Sequence, residues 1–195
     1  MASYKTIYTV STGKYTEKGS RFIASAFHVQ TETEANDFIE AIRKEHHKAR
    51  HVCYAYSIGI TNPKFKVNDD GEPVNTAGQP ILNQIKKYGL NYIVIVVVRY
   101  FGGVLLGKGG LVNAYGTAAS EALNVAEFIE KKELDIELLA FHIRYYVEIM
   151  ELIKRHKLII LSEDYDGEIC KIKYLTEPEK TTLNKAIFKS FQELI

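Results

Sequence analysis

Cysteine is nearly absent from this chain: Cys53 and Cys170 stand far apart and form no CxxC pair, so neither a disulfide framework nor a zinc ribbon is indicated. Net charge is nearly absent too, at +1, which removes any case for nucleic-acid binding built on bulk basicity and leaves only a local patch to serve. No hydrophobic run approaches the roughly 18 residues of a membrane helix, since the apolar stretch at 92–98 is far shorter, and the opening residues MASYKTIYTV hold no apolar signal-peptide core. No repeat of solenoid period and no low-complexity tract occurs. The expectation from these absences is a cytoplasmic protein without a membrane partner, and 46% hydrophobic with 25% charged residues is enough to bury a real core.

What is present concentrates at 91–115, NYIVIVVVRYFGGVLLGKGGLVNAY. A β-branched run, read as a central strand at 92–98 buried on both faces, leads into Arg99, Tyr100 and Phe101 and then into five glycines within nine positions. Beyond them Leu111, Ala114, Tyr115, Ala118, Ala119, Ala122 and Leu123 trace a helical face. Upstream, strands are expected at 4–10 and 20–29 around a turn containing Gly13 and Gly19. A helix is expected from Thr31, capped by the Thr31/Glu34 box, to about Lys48. The strand at 51–60 should place His51, Cys53, Ala55 and Ser57 on one face and Val52, Tyr54 and Tyr56 on the other. Residues 68–78 (NDDGEPVNTAG) read as an ordered loop, followed by a helix from about Gln79 to Lys87 with Pro80 in its first turn. A boundary is expected in the charged segment 127–133. After it the pattern is strand 133–143, helix 145–156, strand 158–165, strand 168–175 and helix 179–194, a βαββα unit.

Several groups are candidates for chemistry. GGVLLGKG at 102–109 is one residue short of a phosphate loop, but Gly109 replaces the hydroxyl that would hold magnesium, no second acid for the metal follows on a later apolar strand and Val-Leu-Leu fills the loop, which argues against a P-loop NTPase. A weaker reading survives, in which Gly107, Lys108, Gly109 and Gly110 present free backbone N–H groups and receive an anion at a helix start. The alternative is that these glycines only permit a tight turn and close packing. Arg99 is a candidate to grip phosphate or carboxylate, with Tyr100 or Phe101 stacking on a base, or else it pairs with a nearby acid, with both rings in the core. Asp69, Asp70 and Glu72 offer three carboxylates for a general base or cation site, or else a turn bonding its own backbone. An ion pair between this loop and Arg99 would unite the two. The basic run at 43–51 (RKEHHKARH) reads as a solvated helix end or else as a phosphate-backbone contact that would weaken steeply with salt, with His51 a further catalytic candidate, and Cys53 as a small buried hydrophobe. No metal site and no cofactor is expected.

Four segments together, SRFIA at 20–24, ARHVCYAY at 49–56, NDDGEPVNTAGQPIL at 68–82 and VRYFGGVLLGKGGLVNAY at 98–115, resemble the signature of the IMPACT family over most of residues 1–125. The resemblance implies an α/β (α+β) fold class, with a ribosomal protein S5 domain 2-like domain at 1–128 and a ferredoxin-like, elongation factor G domain-like βαββα domain at 133–195. It implies a non-catalytic, translation-related regulator that binds RNA, the ribosome or a translation-associated protein. The alternative carried beside it is an enzyme on a small phosphorylated or nucleotide-like substrate, with Asp69, Asp70 and Glu72 as metal or base groups. His51, Asp69, Asp70, Glu72, Arg99 and Gly110 match the family pattern, whereas Val74-Asn75, Lys108 and Asn113 depart from it.

Overall fold

A computed structural model describes residues 3–60, 62–132, 134–177 and 188. The chain divides into two compact units, Tyr4–Lys131 and a second beginning at Lys132.

In the first unit the strands are β1 (Ser3–Ile7), β2 (Ser11–Glu17), β3 (Ser20–His28), β4 (His51–Ile58), β5 (Lys64–Asn68), β6 (Ile93–Tyr100) and β7 (Phe128–Lys132). The helices are α1 (Glu32–Glu45), α2 (Gly78–Lys87) and α3 (Gly107–Asn124). Five strands form an antiparallel sheet in the order β2-β3-β6-β4-β5, while β1 and β7 pair separately. The unbroken apolar run becomes the central strand because both faces of it are covered. Ile93, Ile95 and Val97 pack with α2 and α3, and Val94, Val96 and Val98 pack with α1. The same alternation puts Cys53 and Ala55 on the α2/α3 side of β4 and Val52, Tyr54 and Tyr56 on the α1 side, as the sequence pattern requires.

Three expectations need correction. Gly13 lies inside β2 rather than in a turn, because α3 crosses it so closely that a Cβ there would sit 2.2 Å from the backbone nitrogen of Ala122. The turn is instead made by Lys18 and Gly19, both with positive φ. Helix α1 stops at Glu45, three residues before Lys48, where His46 leaves helical geometry and donates its N–H to the Ile42 carbonyl. At the start of α1, Thr31 accepts from Glu34 N, and the Glu34 carboxylate accepts from Gln30 N one residue before the cap. Finally, β5 was not legible, since KFKVN is an edge strand exposed along its whole length and has no buried face to impose alternation.

The second unit contains β8 (Asp135–His142), a single 3-10 turn (Ile143–Tyr145), α4 (Tyr146–Arg155), β9 (Ile159–Asp166) and β10 (Ile169–Thr176). Its sheet is antiparallel in the order β8-β10-β9, and Leu139, Phe141, Ile149, Ile153, Cys170 and Ile172 form its core. The helix expected at 179–194 lies outside the described residues, apart from Phe188, which packs edge-on to Tyr174. Among the described residues no helix is long and apolar enough to cross a membrane.

Candidate functional site

Parity along β6 decides where Arg99 goes. Two residues beyond Val97, it shares the α3 side of the sheet, whereas Tyr100 turns to the α1 side and lies 2.9 Å from His46 Nδ1. Register then sets Phe22 of β3 and His51 of β4 directly beside Arg99, so three adjacent strands present Phe22, Arg99 and His51 in a row. Adjacent strands lie about 4.8 Å apart, so these side chains are neighbours without any loop having to bring them together.

The loop between β5 and α2 reaches over this row. Asp69-Asp70-Gly71-Glu72 closes a tight turn, with Glu72 N donating to Asp69 O at 2.9 Å and φ of +41° and +84° at Asp70 and Gly71, the signs of a type I′ turn. That turn drives Glu72 inward, where Arg99 Nη1 donates to its Oε1 at 2.7 Å and the Tyr115 hydroxyl donates to the same oxygen at 2.7 Å. Arg99 is 5% exposed and Glu72 9%, so this is a buried ion pair. The guanidinium lies near two rings, 5.5 Å from the Phe22 centroid and 5.4 Å from that of Phe101, and its Nη2 is 3.5 Å from Ser20 Oγ. Among the described residues its Nε is buried without a partner, and Glu72 Oε2 receives neither of the two bonds that converge on Oε1.

The three carboxylates of this loop do not meet at one centre. Asp69 Oδ1 accepts from Ala77 N and Gly78 N, each at 2.9 Å, and Oδ2 from Asn75 N at 2.8 Å, so Asp69 caps α2, whose own N-cap residue, Ala77, has no side chain able to do so. Asp70 accepts from Val52 N at 2.7 Å and forms a two-pronged pair with Arg43. Both acids are therefore committed to backbone and scaffold, which corrects their reading as metal or base groups beside Glu72. Among the described residues no cluster of three or more metal-binding side chains occurs.

His51 is held in one tautomer by that loop. Its Nδ1 lies 2.8 Å from the Asp70 carbonyl oxygen, which can only accept, so Nδ1 carries the proton and a neutral ring keeps an acceptor at Nε2. Cys53, deeper in the same face, donates to Asp69 O at 3.1 Å, and burial pushes its thiol far above the ordinary range. Tyr115 is raised likewise, first by burial and then by the neighbouring Cys53 and Glu72. Neither is an ionised nucleophile at neutral pH.

These parts border one cleft of about 450 Å³. Arg50, His51, Glu72, Arg99 and Lys108 supply its polar wall, and Pro73, Phe101, Leu105, Leu106 and Leu111 its apolar one. Helix α3 starts at Gly107 with Leu106 at its N-cap and no side chain capping it, so its first N–H groups have no partner within the helix. Phe101, expected in the core, is 44% exposed, because β6 ends at Tyr100 and the chain turns outward at Gly102. Of the residues singled out from sequence, the fold brings His51, Glu72, Arg99, Gly107 and Lys108 to this cleft and sends Asp69 and Asp70 elsewhere. Gly109 and Gly110 follow in the first turn of α3. Of the basic run weighed as a phosphate contact, Arg50 and His51 reach the cleft. Sequence reasoning left out Ser20 and Tyr115, the latter because it looked like any core aromatic on a helical face.

The Impact N-terminal domain family model matches residues 18–123. The chain is 46% identical over 134 residues to the IMPACT family member YvyE of Bacillus subtilis (strain 168), covering 69% of this chain and 62% of that protein. It is 46% identical over 108 residues to the IMPACT family member YigZ of Escherichia coli (strain K12), covering 54% of this chain and 53% of that one. The match thus spans between half and two thirds of these curated relatives. A solved structure described as the crystal structure of a hypothetical protein superimposes with a TM-score of 0.76 at 33% identity, covering 99% of this chain and 94% of the other.

Proposed function

This chain belongs to the IMPACT family, and from that premise we propose that it is a non-catalytic, translation-related regulatory module that binds RNA, free or within the ribosome, at the mouth of the Arg99 cleft. The observation that carries this reading is the convergence of Arg50, Lys108 and the uncapped start of α3 on one mouth, an electropositive spot in a chain whose net charge is only +1. Arg99 itself acts from behind, because its charge is already matched by Glu72. For the first unit we propose the ribosomal protein S5 domain 2-like fold, supported by its sheet with α2 and α3 on one face. For the second we propose the ferredoxin-like fold, supported by its β8-α4-β9-β10 order.

The test is fluorescence anisotropy of labelled ribosomal RNA fragments at low and moderate salt, with wild type and an Arg50→Ala/Lys108→Ala variant. Loss of two phosphate contacts lowers both the affinity and the salt slope. RNA binding that is unchanged in the variant overturns the assignment to this face. A defined protein captured in place of RNA after nuclease treatment overturns the RNA reading. The enzyme alternative keeps only His51 and Glu72 of its original groups, since Asp69 and Asp70 are occupied.

A further inference from the structure

The face described above is an anion-binding one on the reading just proposed, and the inference here rests on that reading. We infer that the cleft is a pocket for a single ribonucleotide bearing a terminal phosphate, with the phosphate at the start of α3 and the ribose hydroxyls against Glu72 and His51.

Three features select this chemistry. The first is the distribution of charge. Arg99 and Glu72 neutralise each other on the floor and offer an anion no net attraction there, while Lys108, Arg50 and the N–H groups opening α3 attract one at the rim. A terminal phosphate carries about −1.5 to −2 charges and three strong acceptor oxygens, against a single charge on an internal phosphodiester, and so makes fuller use of a cluster of donors.

The second is the set of unpaired polar atoms. Glu72 is nine-tenths buried and lines the cleft, yet both of its hydrogen bonds arrive at Oε1 and leave Oε2 open. His51, fixed by the Asp70 carbonyl, adds an acceptor at Nε2. Two acceptors lining one cleft call for hydroxyl donors, and a carboxylate receiving ribose hydroxyls is an established way of reading that sugar. The apolar wall accommodates the base, with Phe101 exposed and already held beside Arg99. A cleft of about 450 Å³ has the size of a small-molecule site and is too short to track a strand.

The third is Gly109. Its φ is not positive, and a Cβ there would meet nothing within 4 Å, so neither backbone strain nor protein packing calls for glycine. What a side chain would obstruct is the approach to the backbone amides, because the Cα–Cβ bond of a helical residue leans toward the helix N-terminus.

The experiment is isothermal titration calorimetry of the full chain with adenosine and uridine 5′-monophosphates, their nucleosides, the 2′-deoxy forms and inorganic phosphate. Anisotropy with short RNAs carrying either a 5′-phosphate or a 5′-hydroxyl runs beside it. Binding is expected to fall by about tenfold or more when the phosphate is removed, the loss of one charge-assisted contact. It should fall by several-fold without the 2′-hydroxyl, and by about tenfold in Lys108→Ala and in Gly109→Ala. Mononucleotide and phosphorylated RNA binding together identify a strand end as the ligand; mononucleotide alone identifies a free nucleotide, and the RNA reading above then falls while the pocket stands. RNA that binds equally with either end and weakens in Lys108→Ala overturns the pocket and leaves the face. Nucleoside and nucleotide binding alike, no nucleotide binding, or phosphate alone binding as well as nucleotide overturns the inference.

Discussion

Separating Glu72 from Arg99 is expected to be costly in a way that removing both is not. Each is more than nine-tenths buried, and the guanidinium lies 5.5 Å and 5.4 Å from the ring centroids of Phe22 and Phe101, so a lone charge left at this position is poorly hydrated. Breaking such a pair by removing one partner costs about 3–5 kcal/mol, whereas replacing the whole pair with neutral groups of similar volume is often close to neutral. Glu72→Gln keeps an acceptor for the Tyr115 hydroxyl and removes only the charge, and Arg99→Met keeps most of the stem. Each single variant is therefore expected to lose about 3 kcal/mol, and the double variant about 1 to 2 kcal/mol, less than either single one and well short of the sum. With a urea slope of about 2 kcal/mol/M, each single change moves the unfolding midpoint by roughly 1.5 M. The assay is urea unfolding of the four proteins of the cycle, followed by circular dichroism. Additive losses within about 0.5 kcal/mol would show that the two side chains do not act on each other, and the construction of the cleft floor would fall with them.

Asp69→Ala removes the acceptor for three backbone N–H groups and the cap of α2, and is expected to destabilise by about 2 kcal/mol in the same urea assay while Lys108-dependent ligand binding survives. His28 is lowered from its ordinary value of 6.5, chiefly by burial and secondarily by Lys131 at 3.0 Å, against the raising effect of its bond to the Tyr92 carbonyl. With the folded value below the unfolded one, the unfolded chain binds the extra proton. The contribution is thus complete above pH 6.5 and is lost as pH falls toward and through the folded value. Melting curves between pH 7.5 and about 5.5 should drop more steeply for wild type than for His28→Asn. Gly102→Ala forces a Cβ to within 1.9 Å of the Gly19 carbonyl carbon and should unfold at markedly lower urea, whereas Gly109→Ala has open space and helical geometry and should gain up to about 1 kcal/mol.

The central strand and its two-faced burial were legible because a β-branched run has few alternatives, and face alternation in β4 followed from period-two geometry. The pairing of the acidic loop with Arg99 was legible as a possibility of residue type, since a buried arginine requires an acid. Which of three acids it takes was not legible. That depends on the positive φ at Asp70 and Gly71, which aims residue 72 inward and turns 69 and 70 onto backbone donors. The row Phe22, Arg99 and His51 depends on register between strands distant in sequence, which no local pattern encodes. Phe101 was misread because hydrophobicity marks a residue as core only while its strand continues, and β6 ends one residue earlier.

The glycine run illustrates why a motif spelled in letters misleads where its atoms do not. Gly102 is required by the Gly19 backbone pressed against it, and Gly103 and Gly107 by φ of +87° and +71°. These three shape a loop that would be the same with no ligand at all. Gly109 stands apart from them, and what its missing side chain leaves open is the way to the α3 amides. Just before those amides the loop exposes Leu105, which lines the cleft, at 83%, and Val104 at 50%. A ligand that satisfies both sides of this mouth must be charged at one end and flat or apolar at the other. A bare phosphate meets only the first requirement and a hydrophobic peptide only the second; a nucleotide meets both.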